Sequence, residues 1–422
     1  MSKRVIVILL FLFYGFSVFL TLNRHSKSGI QNYHSEIWAD KAGYYIYLPA
    51  YFIYDFDGEK LPPKIGEKTG DGFFVEEGKI KTKYTSGVAL LQAPFFLVTH
   101  FVSTKLGYES NGFSSIYHKM INVSAVTYSF FALILLYLFL IRYVSKKLAF
   151  ISVACIYLGT NLFYYSIFET GMSHIYSFFL FTCFLYLSPF ILNPKKNIAL
   201  HILFGVVVGL IILIRPLNIL FLPAFFMFKQ YKIKELKTYL TSLLLMIFVV
   251  IIVLIPQFIY WKYASGSYLF YSYSNEGFSN LFSPKLLNIW FSPNNGLFIY
   301  SPIVVFALAG IFLIRQFSIK KRIFIGAYFL FISLVIASWH DWTYGCSYGC
   351  RPYVEYFSIL AFPFSYFLKE IASKKYLRII FGFLVVIMVI YNLKMVFSYD
   401  GCWYSGDWDW DEFFRLLTSN TK

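Results

Sequence analysis

The feature that most constrains this chain is a series of long apolar runs that recurs along the whole sequence. A helix needs about 20 mostly apolar residues to cross the hydrocarbon layer of a membrane. The runs that approach or reach this length cover residues 5–22, 121–141, 148–165, 174–192, 198–214, 217–228, 239–260, 297–314, 323–339, 353–368 and 376–397. We therefore predict an all-α polytopic membrane protein with about eleven transmembrane helices, in which residues 1–422 form a single transmembrane domain.

The composition is that of a chain that lies in lipid. Charged residues make up 14% of the sequence, whereas soluble domains carry about 25%. This excludes a water-soluble multidomain protein and an intrinsically disordered chain. The net charge of +16 would suggest nucleic acid as the partner of a soluble protein, but Lys and Arg also concentrate in the cytoplasmic loops of membrane proteins. We predict the lipid bilayer as a partner and no nucleic acid.

One shorter apolar run, residues 88–103, decides the orientation, because it is interrupted by Gln92, Pro94 and His100. If this run lies outside the membrane core, five basic loops face the cytoplasm, at residues 142–147, 195–196, 229–237, 315–322 and 369–378. If it spans the membrane, all five loops move outside, against the positive-inside rule. We therefore predict an interfacial helix on the outer leaflet, with the N-terminus inside and the C-terminus outside.

This topology assigns the long connections to the outer face. They are the first loop (residues 23–120, with interfacial helices), the second loop (261–296), the third loop (340–352) and the C-terminal tail (398–422). Long connections often carry function, so we expect any chemistry there. Residues 5–22 resemble an uncleaved signal anchor, and the abundance of Lys, Ile, Phe, Tyr and Asn indicates a bacterium. We predict the inner (cytoplasmic) membrane as the location.

The first loop contains a carboxylate beside a row of phenols. In a helix, Asp40, Tyr44, Tyr47 and Tyr51 fall on one face, because residues three and four apart are neighbours. A carboxylate there could deprotonate an acceptor hydroxyl, and the rings could stack on a sugar. The alternative is an interfacial aromatic helix with a hydrated Asp, and Pro49 would kink its last turn.

Two arginines lie at predicted outer ends of spans. Arg215 ends one apolar run before Pro216, and Arg351 precedes another. A guanidinium can bind a phosphate through two parallel hydrogen bonds. The alternative is that each arginine extends to the lipid headgroups.

Two further groups of polar residues have weaker patterns. Glu169 and His174 lie five apart in a short outer connection, where they could bind a metal, shape a site or be hydrated; two ligand types alone make a weak metal pattern. The third loop carries His340 and Asp341 among aromatic residues and glycines.

Three cysteines lie on the predicted outer side, which is an oxidising compartment. They are Cys346, Cys350 and Cys402. A disulfide between Cys346 and Cys350, or from either one to Cys402, fits that compartment, and spacing alone does not choose among these pairings.

Taken together, four stretches resemble the multi-spanning GT-C superfamily of glycosyltransferases, which includes aminoarabinose transferases acting on lipid A, protein O-mannosyltransferases and uncharacterised bacterial members. The stretches are residues 38–45, 84–94, 214–216 and the pair 291–302 with 345–351. Many relatives have an acidic pair or a Gly-Asp start at the first motif. This chain has Ala39-Asp40 followed by Lys41 instead, which is a departure from the family pattern.

The resemblance implies an inverting transfer of a hexosyl or pentosyl group from a polyprenyl-phosphate donor to a hydroxyl of a glycan, lipid or protein acceptor. It assigns the general base to Asp40 and the donor phosphate to Arg215 and Arg351. The residues expected to bind the sugar or the acceptor are Trp38, Tyr44, Tyr47, His340 and Asp341. A divalent metal is a candidate cofactor, with Glu169 and His174 as its candidate ligands.

Two other functions remain open from the sequence. A transporter or flippase of lipid-linked sugars would place charges midway along its helices and contain inverted repeats. In this chain only Lys394 lies deep in a predicted span. A structural or assembly protein without an active site is the third hypothesis.

Overall fold

The computed structural model describes residues 3–26, 32–191, 197–228, 236–273, 276–399 and 406–419, and these residues are mainly helical. The predicted all-α class is therefore confirmed. The α-helices are α1 (Lys3–Ser26), α2 (Asp40–Tyr45), α3 (Tyr47–Phe52), α4 (Ile65–Lys68), α5 (Gly87–Leu106), α6 (Ser115–Leu140), α7 (Lys146–Leu158), α8 (Leu162–Ile167), α9 (Ser173–Ile191), α10 (Ile198–Ile214), α11 (Phe225–Phe228), α12 (Leu236–Ser265), α13 (Leu286–Phe291), α14 (Leu297–Tyr300), α15 (Val304–Leu313), α16 (Ile319–Ala337), α17 (Phe357–Ala372), α18 (Lys375–Ser398) and α19 (Trp410–Thr418).

Short elements fill the connections. Within the described ranges, 3-10 helices cover Gly58–Lys60, Pro216–Ala224 and Arg351–Tyr353. The first loop also contains one antiparallel hairpin of β1 (Phe74–Glu76) and β2 (Lys79–Lys81). Its tight turn contains Gly78 at a φ of +72°, in the left-handed region where glycine lacks the usual steric cost.

Among the described residues, six helices are long and apolar enough to cross a membrane. They are Arg4–Arg24, Gly87–Leu106, Ser115–Leu140, Ser173–Ile191, Leu240–Ser265 and Lys375–Ser398. These helices support a multi-pass membrane protein. They do not confirm eleven spans, because several of the predicted runs form shorter or interrupted helices.

Prolines and a buried turn account for the interrupted runs. The predicted span 217–228 forms a 3-10 helix and the short α11, with Pro216 and Pro223 in the 3-10 segment; proline has no N–H to donate to a regular helix. The predicted span 148–165 divides into α7 and α8 at Gly159. The predicted span 297–314 divides into α14 and α15 around Pro302.

The run predicted to be interfacial, residues 88–103, is one continuous helix within α5. This helix packs against the bundle, since the Tyr128 hydroxyl of α6 donates to the Leu91 carbonyl oxygen at 2.6 Å. A Cβ at Gly87 would collide with the backbone of Ile214, so α5 begins in close contact with the end of α10. Because α5 is also one of the six candidate spans, the interfacial placement and the orientation that depends on it stay predictions.

The predicted inner loops within the described residues meet at one end of the bundle. The contacts join Arg142 to Tyr186, Tyr143 and Phe317 to Phe362, and Arg315 to Glu370. Tyr186 lies in α9, and His174 lies 12 residues before it in the same helix, which corresponds to about 18 Å at 1.5 Å per residue. The start of α9, with His174, therefore lies well away from the basic end.

Candidate active site

A cavity of about 610 Å³ opens among the first, second and third loops at the start of α9. This volume lies in the range of about 300–1,000 Å³ that is usual for small-molecule sites. The cavity brings together most of the residues singled out in the sequence: Asp40, Tyr44, His174, Arg215, His340, Asp341 and Arg351. The first and the last of these residues, Asp40 and Arg351, are more than 300 positions apart in the chain, so folding brings them together.

A sharp bend before α2 presents Asp40 to the cavity. Ala39 adopts a positive φ of 46°, and its N–H donates to the Thr69 carbonyl oxygen at 2.8 Å. A Cβ at position 72 would collide with the Ala39 carbonyl, so Gly72 permits the close approach of the two segments. Asp40 is then the first residue of the helix, and a carboxylate is favoured at a helix N-terminus.

Two donors hold the Asp40 carboxylate in place. Arg351 Nη2 lies 3.1 Å from Oδ2, and the Tyr84 hydroxyl donates to Oδ1 at 2.5 Å. Burial alone would raise the pKa of Asp40, but the Arg351 and Lys83 charges and the Tyr84 hydrogen bond outweigh it and lower this pKa. Asp40 is therefore ionised at neutral pH. Since a carboxylate has about four lone-pair sites, it can still accept a hydrogen bond from a hydroxyl in the cavity.

The second cation, Arg215, pairs with a carboxylate that sequence reasoning did not single out. Glu355 is 1% exposed and lies between two partners: its Oε1 contacts Arg215 Nη2, and its Oε2 accepts from His174 Nδ1 at 2.9 Å. The sequence signal was available, because an ionisable residue at the start of an apolar run is costly without a partner.

The third cation, Lys83, was also missed from the sequence. Its ammonium lies 2.6 Å from Glu276 Oε1 and over the rings of Tyr84 and Tyr273, at 5.5 and 5.6 Å from their centroids. Lys83 directly precedes the 84–94 motif, so its place beside a candidate site could have been inferred. Together with Arg215 and Arg351, it gives the cavity three cations.

Aromatic rings line the cavity, and most of them were not predicted from the sequence. Tyr44 packs against Tyr84 in a tilted arrangement, with ring centroids 4.4 Å apart, and both line the cavity. The other aromatic residues of the lining are Trp261, Phe270, Tyr271, Tyr273, Phe278, Trp339, Tyr344 and Tyr356.

Trp38 and Tyr47 do not line the cavity, and their prediction as sugar-binding residues is not supported by the geometry. Tyr47 was predicted on the same helical face as Asp40, but it begins α3, and the segment at 82–84 packs against it. The Tyr47 hydroxyl accordingly donates to the Tyr84 carbonyl oxygen at 2.7 Å. Trp38 packs against Gly70, where a Cβ would collide with the indole ring. Sequence periodicity could not reveal that a distant segment covers the face.

His340 and Asp341 do line the cavity. Asp341 Oδ1 accepts from the Thr343 N–H at 3.1 Å, which stabilises the turn of the third loop. The His340 N–H donates to the Gly277 carbonyl oxygen at 2.8 Å, so the third loop is fastened to the second loop at the rim of the cavity.

The predicted metal ligands have different partners. Glu169 pairs with Lys41 at 2.9 Å, and His174 pairs with Glu355. Within the described residues no group of three or more His, Cys, Asp or Glu side chains could hold a metal ion. The Glu355 carboxylate beside His174 also forms an ion pair with the Arg215 guanidinium. The residues Glu169 and His174 therefore do not fit a divalent metal.

The cysteines of the third loop differ in state. Cys346 is disulfide-bonded, whereas Cys350 is free and buried. This excludes a Cys346–Cys350 bridge and a bridge from Cys350 to Cys402. Cys402 itself lies outside the described residues.

Aliphatic side chains also line the cavity. They are Leu217 and Leu220 of the 3-10 helix and Ile332, Val335 and Ile336 of α16. The lining is therefore amphipathic, because it combines charged groups and phenols with aliphatic side chains. Such a site suits a ligand that has both a charged group and a hydrocarbon chain.

Comparison with protein-family models, with curated proteins and with solved structures finds no match for this chain. The resemblance to GT-C enzymes therefore rests on the sequence motifs alone.

Proposed function

We propose that this chain is a membrane glycosyltransferase that moves a sugar from a polyprenyl-phosphate donor to an acceptor hydroxyl at the outer face of a bacterial inner membrane. One observation carries this proposal: a single amphipathic cavity holds an ionised carboxylate, three cations, aromatic rings and aliphatic side chains. Each of these features answers one chemical need of the transfer.

The cations would stabilise the leaving phosphate. When the bond between the sugar and the phosphate breaks, both bonding electrons remain on the phosphate oxygen. Arg215, Arg351 and Lys83 all line the cavity, and cations fixed beforehand beside a developing negative charge lower the barrier of a reaction. The planar fork of Arg can hold two phosphate oxygens at once.

The carboxylate would activate the acceptor. The acceptor oxygen forms a bond to the anomeric carbon on the face opposite the departing phosphate, and its proton passes to Asp40. Arg351 contacts Asp40 directly, so in this proposal the same guanidinium would serve both the base and the leaving phosphate. This arrangement would couple departure of the phosphate to attack by the hydroxyl.

The aromatic and aliphatic side chains would bind the rest of the donor. Tyr44, Tyr84 and Tyr273 lie beside Asp40 and offer faces on which a sugar ring can stack. The aliphatic side chains of α16 and of the 3-10 helix Pro216–Ala224 would contact the first isoprene units, whose burial removes apolar surface from water. His340 and Asp341 remain candidates for contacting the acceptor at the rim.

The alternative, a transporter or flippase of lipid-linked sugars, is favoured less by the positions of the charges. Transport sites usually lie near the middle of the bilayer. Lys394, the charge predicted to lie deep in a span, is within the last turns of α18 and donates to Ser398 Oγ at 2.9 Å and to the Ser419 carbonyl oxygen. It is therefore satisfied near a helix end and offers no midspan site.

The proposal is tested in a strain that lacks the protein, by mass spectrometry of its envelope glycans and polyprenyl-phosphate sugars. Transfer predicts that the donor accumulates and that one acceptor is a single sugar short. Wild-type protein should restore the acceptor, while the Asp40→Asn variant at equal abundance should not. A donor retained on the inner leaflet would instead indicate flipping, and unchanged glycans and donors would contradict both functions.

A further inference from the structure

Each cation of the cavity is already paired with a carboxylate. The three pairs are Arg351 with Asp40, Arg215 with Glu355, and Lys83 with Glu276. A phosphate that enters the cavity must therefore share a cation with a resident carboxylate or take its place. The pairs differ in how easily that exchange occurs.

The Arg215–Glu355 pair is the hardest to exchange. Glu355 is 1% exposed and is also bound by His174, so removing Arg215 from it would leave a buried charge with a single neutral donor. Such a charge is strongly unfavourable. Arg215 is therefore expected to keep Glu355 while it contacts a phosphate through its remaining donors.

The Lys83–Glu276 pair is the easiest to exchange. The Lys83 and Glu276 side chains are 33% and 36% exposed, and a pair that reaches solvent contributes little net stability. The backbone around Glu276 has its own contacts, because the Tyr271 hydroxyl donates to the Glu276 carbonyl oxygen at 2.7 Å. The carboxylate can consequently leave Lys83 without disrupting the local backbone.

We propose that the Glu276 carboxylate competes with the donor phosphate for Lys83. Glu276 binds the Lys83 ammonium in the empty cavity and releases it when a phosphate binds. The inference rests on the proposed function, since it assumes that phosphate enters this cavity. A phosphate carries more negative charge than a carboxylate and has three acceptor oxygens, so it is the stronger partner for the Lys83 ammonium.

The proposal predicts a gain of affinity from a loss of charge. Glu276→Gln keeps the size of the side chain and removes its charge, so a short-chain prenyl phosphate should bind about two- to fivefold more tightly, as expected from the small net strength of an exposed pair. Lys83→Met should weaken the same binding by about tenfold or more, because a charge-assisted hydrogen bond is lost. A Glu276 that contacted the ligand favourably would give a loss instead.

A matched control is available in the first loop, which also carries Lys83. Glu76 pairs with Lys81 at 2.6 Å, and neither residue lines the cavity. Glu76→Gln therefore removes an ion pair of the same length and should leave the affinity unchanged. The double variant Lys83→Met/Glu276→Gln should bind no more tightly than Lys83→Met alone, because the competition requires the lysine.

The measurement is the binding of a short-chain prenyl phosphate and of the corresponding prenyl alcohol to the purified full chain in detergent. Tighter binding of the phosphate to Glu276→Gln, dependent on Lys83 and absent for the alcohol, supports the proposal. Unchanged or weaker phosphate binding overturns it while leaving the phosphate site intact. Equal binding of phosphate and alcohol to the wild type overturns both this inference and the proposed function.

Discussion

Two carboxylates four residues apart, Glu36 and Asp40, have opposite surroundings in this structure. Glu36 is 3% exposed and accepts hydrogen bonds from α6, with His118 Nδ1 at 2.9 Å and Asn122 Nδ2 at 2.7 Å. Asp40 is paired with a cation and a phenol, and its side chain is 34% exposed to the cavity. The first carboxylate joins the first loop to α6, whereas the second faces space that a ligand can enter.

The difference shows why a charged residue near a span is not by itself evidence of a site. Asn122 also accepts hydrogen bonds from Thr21 of α1 and from Thr170, so the Glu36 network ties several elements together. Such a network serves stability. The Asp40 group, by contrast, retains lone pairs directed at a cavity, and a polar group of that kind is available for chemistry.

The largest expected effect is on turnover after Asp40→Asn. The amide keeps the shape of the side chain but cannot accept the hydroxyl proton, so sugar transfer should fall by about 10²–10⁴-fold. Donor affinity should not fall, because Arg351 loses its carboxylate partner and remains available to phosphate. Transfer assays and donor binding at matched folding measure the two quantities. Retention of more than about a tenth of the turnover would remove Asp40 as the base.

Arg215→Ala and Arg351→Ala should weaken donor binding by about 10- to 150-fold, since hydrogen bonds to charged groups are worth about 1.5–3 kcal/mol. Arg→Lys should restore only part of this loss, because a point charge replaces a planar fork. Arg215→Ala should also lower the melting temperature more than Arg351→Ala, because it strands the buried Glu355. Equal donor affinity in the wild type and both Ala variants would exclude these arginines from the site.

Glu36→Gln tests the structural role of the buried carboxylate in the comparison of Glu36 with Asp40. The substitution changes a buried hydrogen-bonded carboxylate, and we expect a loss of about 1–3 kcal/mol in the free energy of unfolding. Turnover of the folded fraction should remain within about twofold of the wild type, because general-base catalysis does not involve this residue. Thermal unfolding in detergent and a transfer assay on the same sample measure the stability and the turnover. A loss of turnover as large as that of Asp40→Asn would erase the distinction between the two carboxylates.

The smallest expected effect is a shift in the pH profile. Arg351, Tyr84 and Lys83 hold the pKa of Asp40 below its ordinary value of 3.8. The ionised form is therefore the one that the fold stabilises, and this contribution is present at neutral pH and lost as the pH falls through the lowered pKa. The acid limb of kcat/KM should lie below pH 3.8 in the wild type and move upward in Arg351→Ala. An acid limb that does not respond to Arg351 would assign it to another group.

Sequence periodicity predicted the helical class better than it predicted the number of spans. Runs such as 5–22 and 376–397 form long helices that contain no proline. The run 217–228 was predicted as a span from hydropathy, but proline at 216 and 223 imposes a 3-10 helix. Hydropathy measures affinity for lipid and does not account for lost backbone hydrogen bonds.

The residues that sequence reasoning missed are those whose importance depends on a distant partner. Glu355 gains its role from Arg215 and His174, and Lys83 from its place beside Asp40. Tyr47 is the reverse case: it was predicted on the helical face of Asp40, but the segment that carries Tyr84 covers it. A charge at the edge of an apolar run indicates that a partner exists, but no local pattern identifies that partner, so these long-range contacts required the folded structure.

The most direct test of the central claim is an experimental structure of the protein with a bound prenyl phosphate. The account predicts that the phosphate lies within hydrogen-bond distance of Arg215, Arg351 and Lys83, with the prenyl chain against Leu217 and α16. A phosphate bound elsewhere, with these three cations still held only by Glu355, Asp40 and Glu276, would contradict the assignment of this cavity as the donor site.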